Sequence, residues 1–210
     1  MSEPQSEARA SGSSLLELVL IVAVALGLAL AIQAFVVKPY RIPSASMVPT
    51  LEVGERVLVN RIGQRVGEPH VGDIVVFHPP SGAESPAGTQ CGARLRSGAP
   101  CEEPTSQKAK VNFIKRIVAG PGDTISIRQG HVIRNGKLQK EPFINDTCKN
   151  DEGAGCTFPT TITVPPGHWF MMGDNRGESD DSPFWGPIPE SWIIGGAFAT
   201  YWPPRRVGLL

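Results

Sequence analysis

The stretch PSASMVPTL, Pro43 to Leu51, sets two hydroxyls, Ser44 and Ser46, on either side of a single alanine. In an extended chain residues two apart point the same way. Both hydroxyls then face one site, and Pro43 and Pro49 restrict the backbone that aims them. A serine nucleophile needs a base, and the usual partner is histidine. His70, His78, His131 and His168 lie in no recognisable triad setting, and SASM is not the G-x-S-x-G elbow of the hydrolase fold. The other solution is a lysine kept neutral by burial, because desolvation disfavours the charged form. Lys115 fits: it sits in VNFIKRIVAGPGD among Phe113, Ile114, Ile117 and Val118. In a strand Lys115 and Arg116 face opposite sides, so one enters an apolar site while the other reaches solvent or a carboxylate. Taken alone, Lys115 also reads as a lysine snorkelling from a strand edge. A third stretch, MGDNRGESDDSPFWG from Met172 to Gly186, is too polar for a core strand. It reads either as a solvated loop or as one whose side chains bond one another at the floor of a site, with Ser179 placed to orient a lysine amine.

These three segments need a frame. The chain has 210 residues, enough for one folded domain and a short accessory segment. Its 23 glycines and 20 prolines break long helices and suit a chain of short strands. RVLVN (56–60), DIVVFH (73–78), NFIKRIV (112–118), TISIR (124–128), HVIRNGKLQ (131–139), TITV (161–164) and HWFMMG (168–173) are rich in Val, Ile, Thr and aromatics. Asn135-Gly136 is a hairpin signal, because a tight primed turn needs positive φ at both central residues. The expected fold is mainly β, an antiparallel sheet or barrel-like domain over 38–210, with insertions at about 81–110 and 145–159. Twenty basic and twenty acidic residues leave no net charge, which argues against a nucleic-acid partner.

From Leu18 to Val37 a run of 20 residues has Gln33 as its only strongly polar side chain. A helix of that length crosses a hydrocarbon core of about 30 Å. We expect residues 15–37 to be one transmembrane helix and residues 1–14 a polar, disordered cytoplasmic tail. A removable secretory signal is the alternative, with Ala29 to Ala31 resembling a cleavage site; the apolar run continues past it and lacks a basic start. Lys38 and Arg41 on the C-terminal flank favour placing that flank in the cytoplasm. The cysteines argue for the opposite side. Cys91 and Cys101, and Cys148 and Cys156, each bracket a loop rich in Gly, Pro, Ser and charge. Local disulfides would restrain such loops and persist only where the compartment is oxidising. Zinc is the competing reading, without C-x-x-C spacing or a suitable histidine to support it. The body of the chain is therefore expected outside the cell membrane, with a lipid bilayer as partner and no metal or other cofactor.

Together the segments resemble the bacterial type I signal peptidases. SASMVPTL is similar to that family's nucleophile motif, KRIVAGPGD to its general-base motif and GDNRGESDDS to the motif supporting the base; GDIVVFHPP (72–80) is similar to a further shared strand. The resemblance covers most of residues 15–202. It implies a membrane-bound serine endopeptidase that removes signal peptides from exported preproteins having small residues at −1 and −3. Ser46 would be the nucleophile and Lys115 the base. Ser44 would help hold the oxyanion and Ser179 the amine, while Asp174, Arg176 and Asp181 brace the loop. Ile42, Met47, Leu51, Phe113 and Ile114 would line shallow pockets. Pro183 stands where the family commonly has an arginine paired with the acid at Asp181, so Arg116 or Arg176 is expected to take over. Phe170, Phe184, Trp185 and Trp192 are expected to be core, or else to dip into the lipid interface. Two other readings compete. A tethered β module that binds exported proteins without cutting them has no need of both Ser46 and Lys115. A soluble serine/lysine autoprotease has no need of a 20-residue apolar run.

Overall fold

The structure, a computed structural model, describes residues 11–62, 68–85, 91–145, 147–148 and 156–210. The tail expected at 1–14 lies largely outside the described residues, and so do parts of both expected insertions, at 86–90, 146 and 149–155. The apolar run forms α1 (Ser11–Phe35). Val37 does not belong to it: Pro39 disfavours helical backbone at the residue before it, and the chain turns extended into β1 (Val37–Arg41). Side chains of α1 are described for residues 15–30, all of them exposed. Among the described residues no helix is long and apolar enough to cross a membrane.

The body is antiparallel β throughout. Strands β2 (Arg56–Asn60), β3 (Ile74–Phe77), β4 (Phe113–Ala119), β5 (Thr124–Arg128), β6 (His131–Arg134), β7 (Lys137–Leu138), β8 (Phe158–Thr163) and β9 (His168–Met172) arise from the β-rich runs. A short helix α2 (Ser182–Trp185) and β10 (Ile188–Pro189) lead into β11 (Ile193–Trp202) and β12 (Gly208–Leu209). The large sheet runs β1-β2-β11-β3-β4-β9-β10 with β12 on β11; the small one runs β7-β6-β5-β8. Asn135 and Gly136 take φ of 53° and 73°, the positive values that the β6–β7 hairpin requires.

β11 is the strand that the sequence patterns miss. It joins β2 to β3 at the middle of the large sheet, yet IIGGAFATYW carries a glycine pair and no steady alternation. The glycine is a packing requirement. A Cβ on Gly195 would meet the backbone oxygen of Asn60 at 2.3 Å, so a side chain there would force β2 and β11 apart.

Among the described residues three apolar clusters fill the interior. Val118, Ile125, Ile127, Val132, Ile162 and Phe170 lie against the small sheet. Phe77, Ile117, Met171, Trp185 and Ile188 form the second, and Ile42, Met47, Leu51, Val57, Val59 and Val76 the third. Phe170 and Trp185 are wholly buried, which answers the core-or-interface question for those two; Phe184 and Trp192 are partly buried beside the second cluster. Bonds join Cys91 to Cys101 and Cys148 to Cys156, the pairs expected from spacing.

Candidate active site

Ser46 sits in a short 3-10 turn, Ala45–Met47, between β1 and β2. The turn belongs to a loop closed at its neck by two backbone bonds: Ile42 N–H to Glu55 O (2.8 Å) and Gly54 N–H to Ile42 O (2.9 Å). Its tip is held from across the molecule. Asn175 donates its backbone N–H to the Ser46 carbonyl (3.0 Å) and its side-chain amide to the Ala45 carbonyl (3.1 Å). The two hydroxyls of Ser44 and Ser46 lie 3.5 Å apart.

Lys115 comes from β4 and is 3% exposed. Its Nζ donates to Ser179 Oγ at 2.8 Å; among the described residues no hydrogen bond joins it to Ser46. Burial is the largest influence on this amine and lowers its pKa from 10.5 to about 8, against the pull of Asp181, Asp180 and Asp174. Asp181 responds in the opposite sense. Burial raises its pKa to about 6, opposed by the lysine charge, the Gly173 N–H, a side-chain bond to Ser179 and Arg176.

The loop after β9 carries these partners because its charges are satisfied within the fold. Arg116 Nε and Nη2 bond the two oxygens of Asp174 at 2.9 and 2.7 Å, and Thr50 Oγ1 donates to the same carboxylate at 2.5 Å. Arg176 donates through Nη2 to Glu141 at 2.6 Å, through Nε to the Gly173 carbonyl at 2.9 Å, and through Nη1 to the Gly130 carbonyl. Asp181 accepts the Gly173 N–H at 2.9 Å. A Cβ on Gly173 would stand 2.3 Å from both Ser179 Oγ and the Ser46 carbonyl. Only glycine lets the serine turn and the supporting loop approach this closely.

Two expectations need correcting. Neither Arg116 nor Arg176 forms a salt bridge with Asp181, because their guanidinium groups are taken by Asp174 and Glu141; Arg176 acts on Asp181 only as a nearby positive charge. Pro183 instead occupies the first turn of α2, where a missing N–H costs nothing. The second correction concerns the pockets. Ile42, Phe113 and Ile114 line a cleft of about 630 Å³ together with Ser44, Ser46 and Lys115, but Met47 and Leu51 do not line it. Both have no exposed surface and pack in the cluster beneath the cleft's Ile42 and Val76.

Some contributors carry no role in the sequence reading. Asn175 lies inside the quoted GDNR run, so its place was visible although its grip on two carbonyls was not. Glu178 and Asp180 line the cleft. Glu141 and Thr50 had no signal, since a lone acid and a lone hydroxyl on separate segments acquire meaning only when the chain brings them to Arg176 and Asp174. Among the described residues no group of three His, Cys, Asp or Glu is placed to hold a metal.

A cleft lined by Ser44, Ser46 and Lys115 thus lies on an antiparallel β scaffold. The family model described as signal peptidase, peptidase S26, matches residues 15–202. The chain is 33% identical over 208 residues to signal peptidase I of Leptolyngbya laminosa, covering 99% of this chain and 90% of that one. It is 31% identical over 200 residues to signal peptidase IB of Staphylococcus aureus, with 90% of each covered. A crystal structure of a signal peptidase I from Enterococcus faecalis aligns over 62% of this chain and 97% of that one, with TM-score 0.40 and 21% identity. This chain belongs to the signal peptidase family, peptidase S26. It is a serine endopeptidase of the signal peptidase I type, and its family's work is the removal of signal peptides from preproteins.

Proposed function

We propose that this enzyme cuts with a Ser46–Lys115 pair at the surface of a membrane, the body of the chain lying on the extracytoplasmic side. The observation that carries the reading is the buried Lys115 amine, bonded to Ser179 in the same cleft as Ser46. Ser179 accepts from Lys115 and is itself bonded to Asp181. With the hydroxyl proton turned to Asp181 and an N–H of the amine turned to Ser179, the lone pair of neutral Lys115 is left to face Ser46. Substrate closes the remaining gap, as catalytic contacts often tighten only in the complex.

Ser46 Oγ then attacks the scissile carbonyl while Lys115 takes its proton. The oxyanion is held by Ser44 Oγ and the Ser46 N–H, each such donor contributing about 3 to 4 kcal/mol. Lys115 passes its proton to the leaving amine, then activates the water that releases the acyl-enzyme. Ile42, Phe113 and Ile114 on the cleft wall select small residues at −1 and −3 of exported preproteins by leaving little depth. On this reading the residues before α1 are cytoplasmic and the anchor is the apolar run within α1, its described part at residues 15–30 being shorter than the ~20 residues a span needs. Its described Leu and Val side chains are exposed on every side, a surface that suits lipid and not water. Nine residues after Val37 reach at most about 30 Å, which keeps Ser46 near the bilayer surface.

The test is cleavage of a preprotein in detergent across pH. Wild type cuts, with kcat/KM rising as pH increases through about 8, because the base is lost to protonation below its lowered pKa. Ser46→Ala and Lys115→Ala are inactive while folded. Cleavage by either variant at the wild-type rate refutes the pair.

A further inference from the structure

The tip of the serine loop is gripped by Asn175, and its neck is closed by Ile42 and Glu55. The far side, just after Ser46, has a different holder. Arg206 follows β11, beyond the residues 15–202 that the family model matches. Its Nη2 donates to the carbonyls of Pro49 (3.2 Å) and Thr50 (3.0 Å), and its Nε donates to Glu55 Oε1 (2.5 Å). Glu55 is 2% exposed, and its other oxygen has no hydrogen-bond partner among the described residues. One guanidinium therefore ties the two arms of the loop together: the arm leaving Ser46 at Pro49 and Thr50, and the arm entering β2 at Glu55.

Thr50 connects this tie to the rest of the site. Its carbonyl is held by Arg206 while its hydroxyl is held by Asp174, which Arg116 clamps in turn. Thr50, three residues past the turn bearing Ser46, is thus held by Arg206 directly and by Arg116 of β4 through Asp174. Shifting Thr50 moves the loop against Asp174 and against the lysine side of the cleft.

We propose that Arg206 is a positioning residue for the hydrolytic reaction, and that its hold on the Pro49 and Thr50 carbonyls sets where Ser46 Oγ stands relative to Lys115. Arg206 does not line the cleft. It acts through the backbone, with Glu55 fixing its guanidinium. The inference rests on Ser46 being the nucleophile, a reading that Ser46→Ala tests separately.

The experiment uses the full chain in detergent with one preprotein, measuring kcat, KM, the pH profile and thermal unfolding. Arg206→Ala is expected to lower kcat about 10- to 100-fold, the scale of a displacement under 1 Å. KM changes little, and the pH profile keeps its midpoint because the surroundings of Lys115 are untouched. Arg206→Lys restores part of kcat by giving one carbonyl its donor back. The double variant Glu55→Gln with Arg206→Ala removes the stranded carboxylate, recovers thermal stability and still turns over slowly. Two results overturn the proposal: kcat within threefold of wild type in Arg206→Ala, or kcat recovered together with stability in the double variant, which makes the arginine a charge partner for Glu55 and nothing more. If Ser46→Ala still cuts, the nucleophile assignment has failed instead, a result distinguishable from both.

Discussion

The small sheet and the cleft end of the large sheet are held by opposite means. In the small sheet Ile125, Ile127, Val132 and Ile162 are buried together, and apolar area removed from water does the work. At the cleft end the buried groups include Lys115, Asp174, Arg176, Ser179 and Asp181, and each of these is kept by a partner. An apolar core tolerates exchange of like for like. A buried polar network does not, because removing one member leaves another charged or unbonded in a medium that cannot solvate it.

Three measurements press on this contrast. Arg176→Ala removes the partner of a nearly buried Glu141 and should cost about 3 to 5 kcal/mol by denaturant unfolding, together with most cleavage. Replacing both, Arg176→Met with Glu141→Leu, should return only part of the stability and little of the activity, since the Gly173 and Gly130 carbonyls lose their donor and the Val132 N–H loses its acceptor. If activity returns as well, the network serves stability alone. Next in size, Ile127→Ala should cost about 2 to 5 kcal/mol through the cavity it leaves, with kcat of the folded fraction unchanged. A fall in kcat would mean that the small sheet transmits to the site. Smallest is Asp180→Asn. Asp180 pulls the Lys115 pKa upward, so its removal moves the alkaline rise in kcat/KM toward lower pH. A shift toward higher pH, or none, would show that Asp180 does not act on the amine.

The same contrast explains what could be read beforehand. Runs rich in Val, Ile and Thr announced β2, β5 and β6 because such side chains suit strands, and Asn135-Gly136 announced the hairpin because its φ values are demanded locally. Ser46, Lys115 and Ser179 were legible as motif members, each an unusual residue for its setting. β11 was not legible, since its Gly195 answers to the backbone of β2, a neighbour more than a hundred positions away. Met47 and Leu51 were assigned to the cleft by the family resemblance. A 3-10 turn rotates successive side chains by about 120°, and that rotation sent Met47 inward. The partners of Arg116 and Arg176 were likewise set by which strands met, Asp174 and Glu141 lying 58 and 35 positions off.

Met47 has a practical consequence. It supports the cleft from below, out of reach of any peptide, in contact with the same cluster as Ile42. On the proposed reading, trimming it would let the floor under Ile42 sink without altering an atom of the cleft wall, so the breadth of side chains admitted could be retuned from inside the protein.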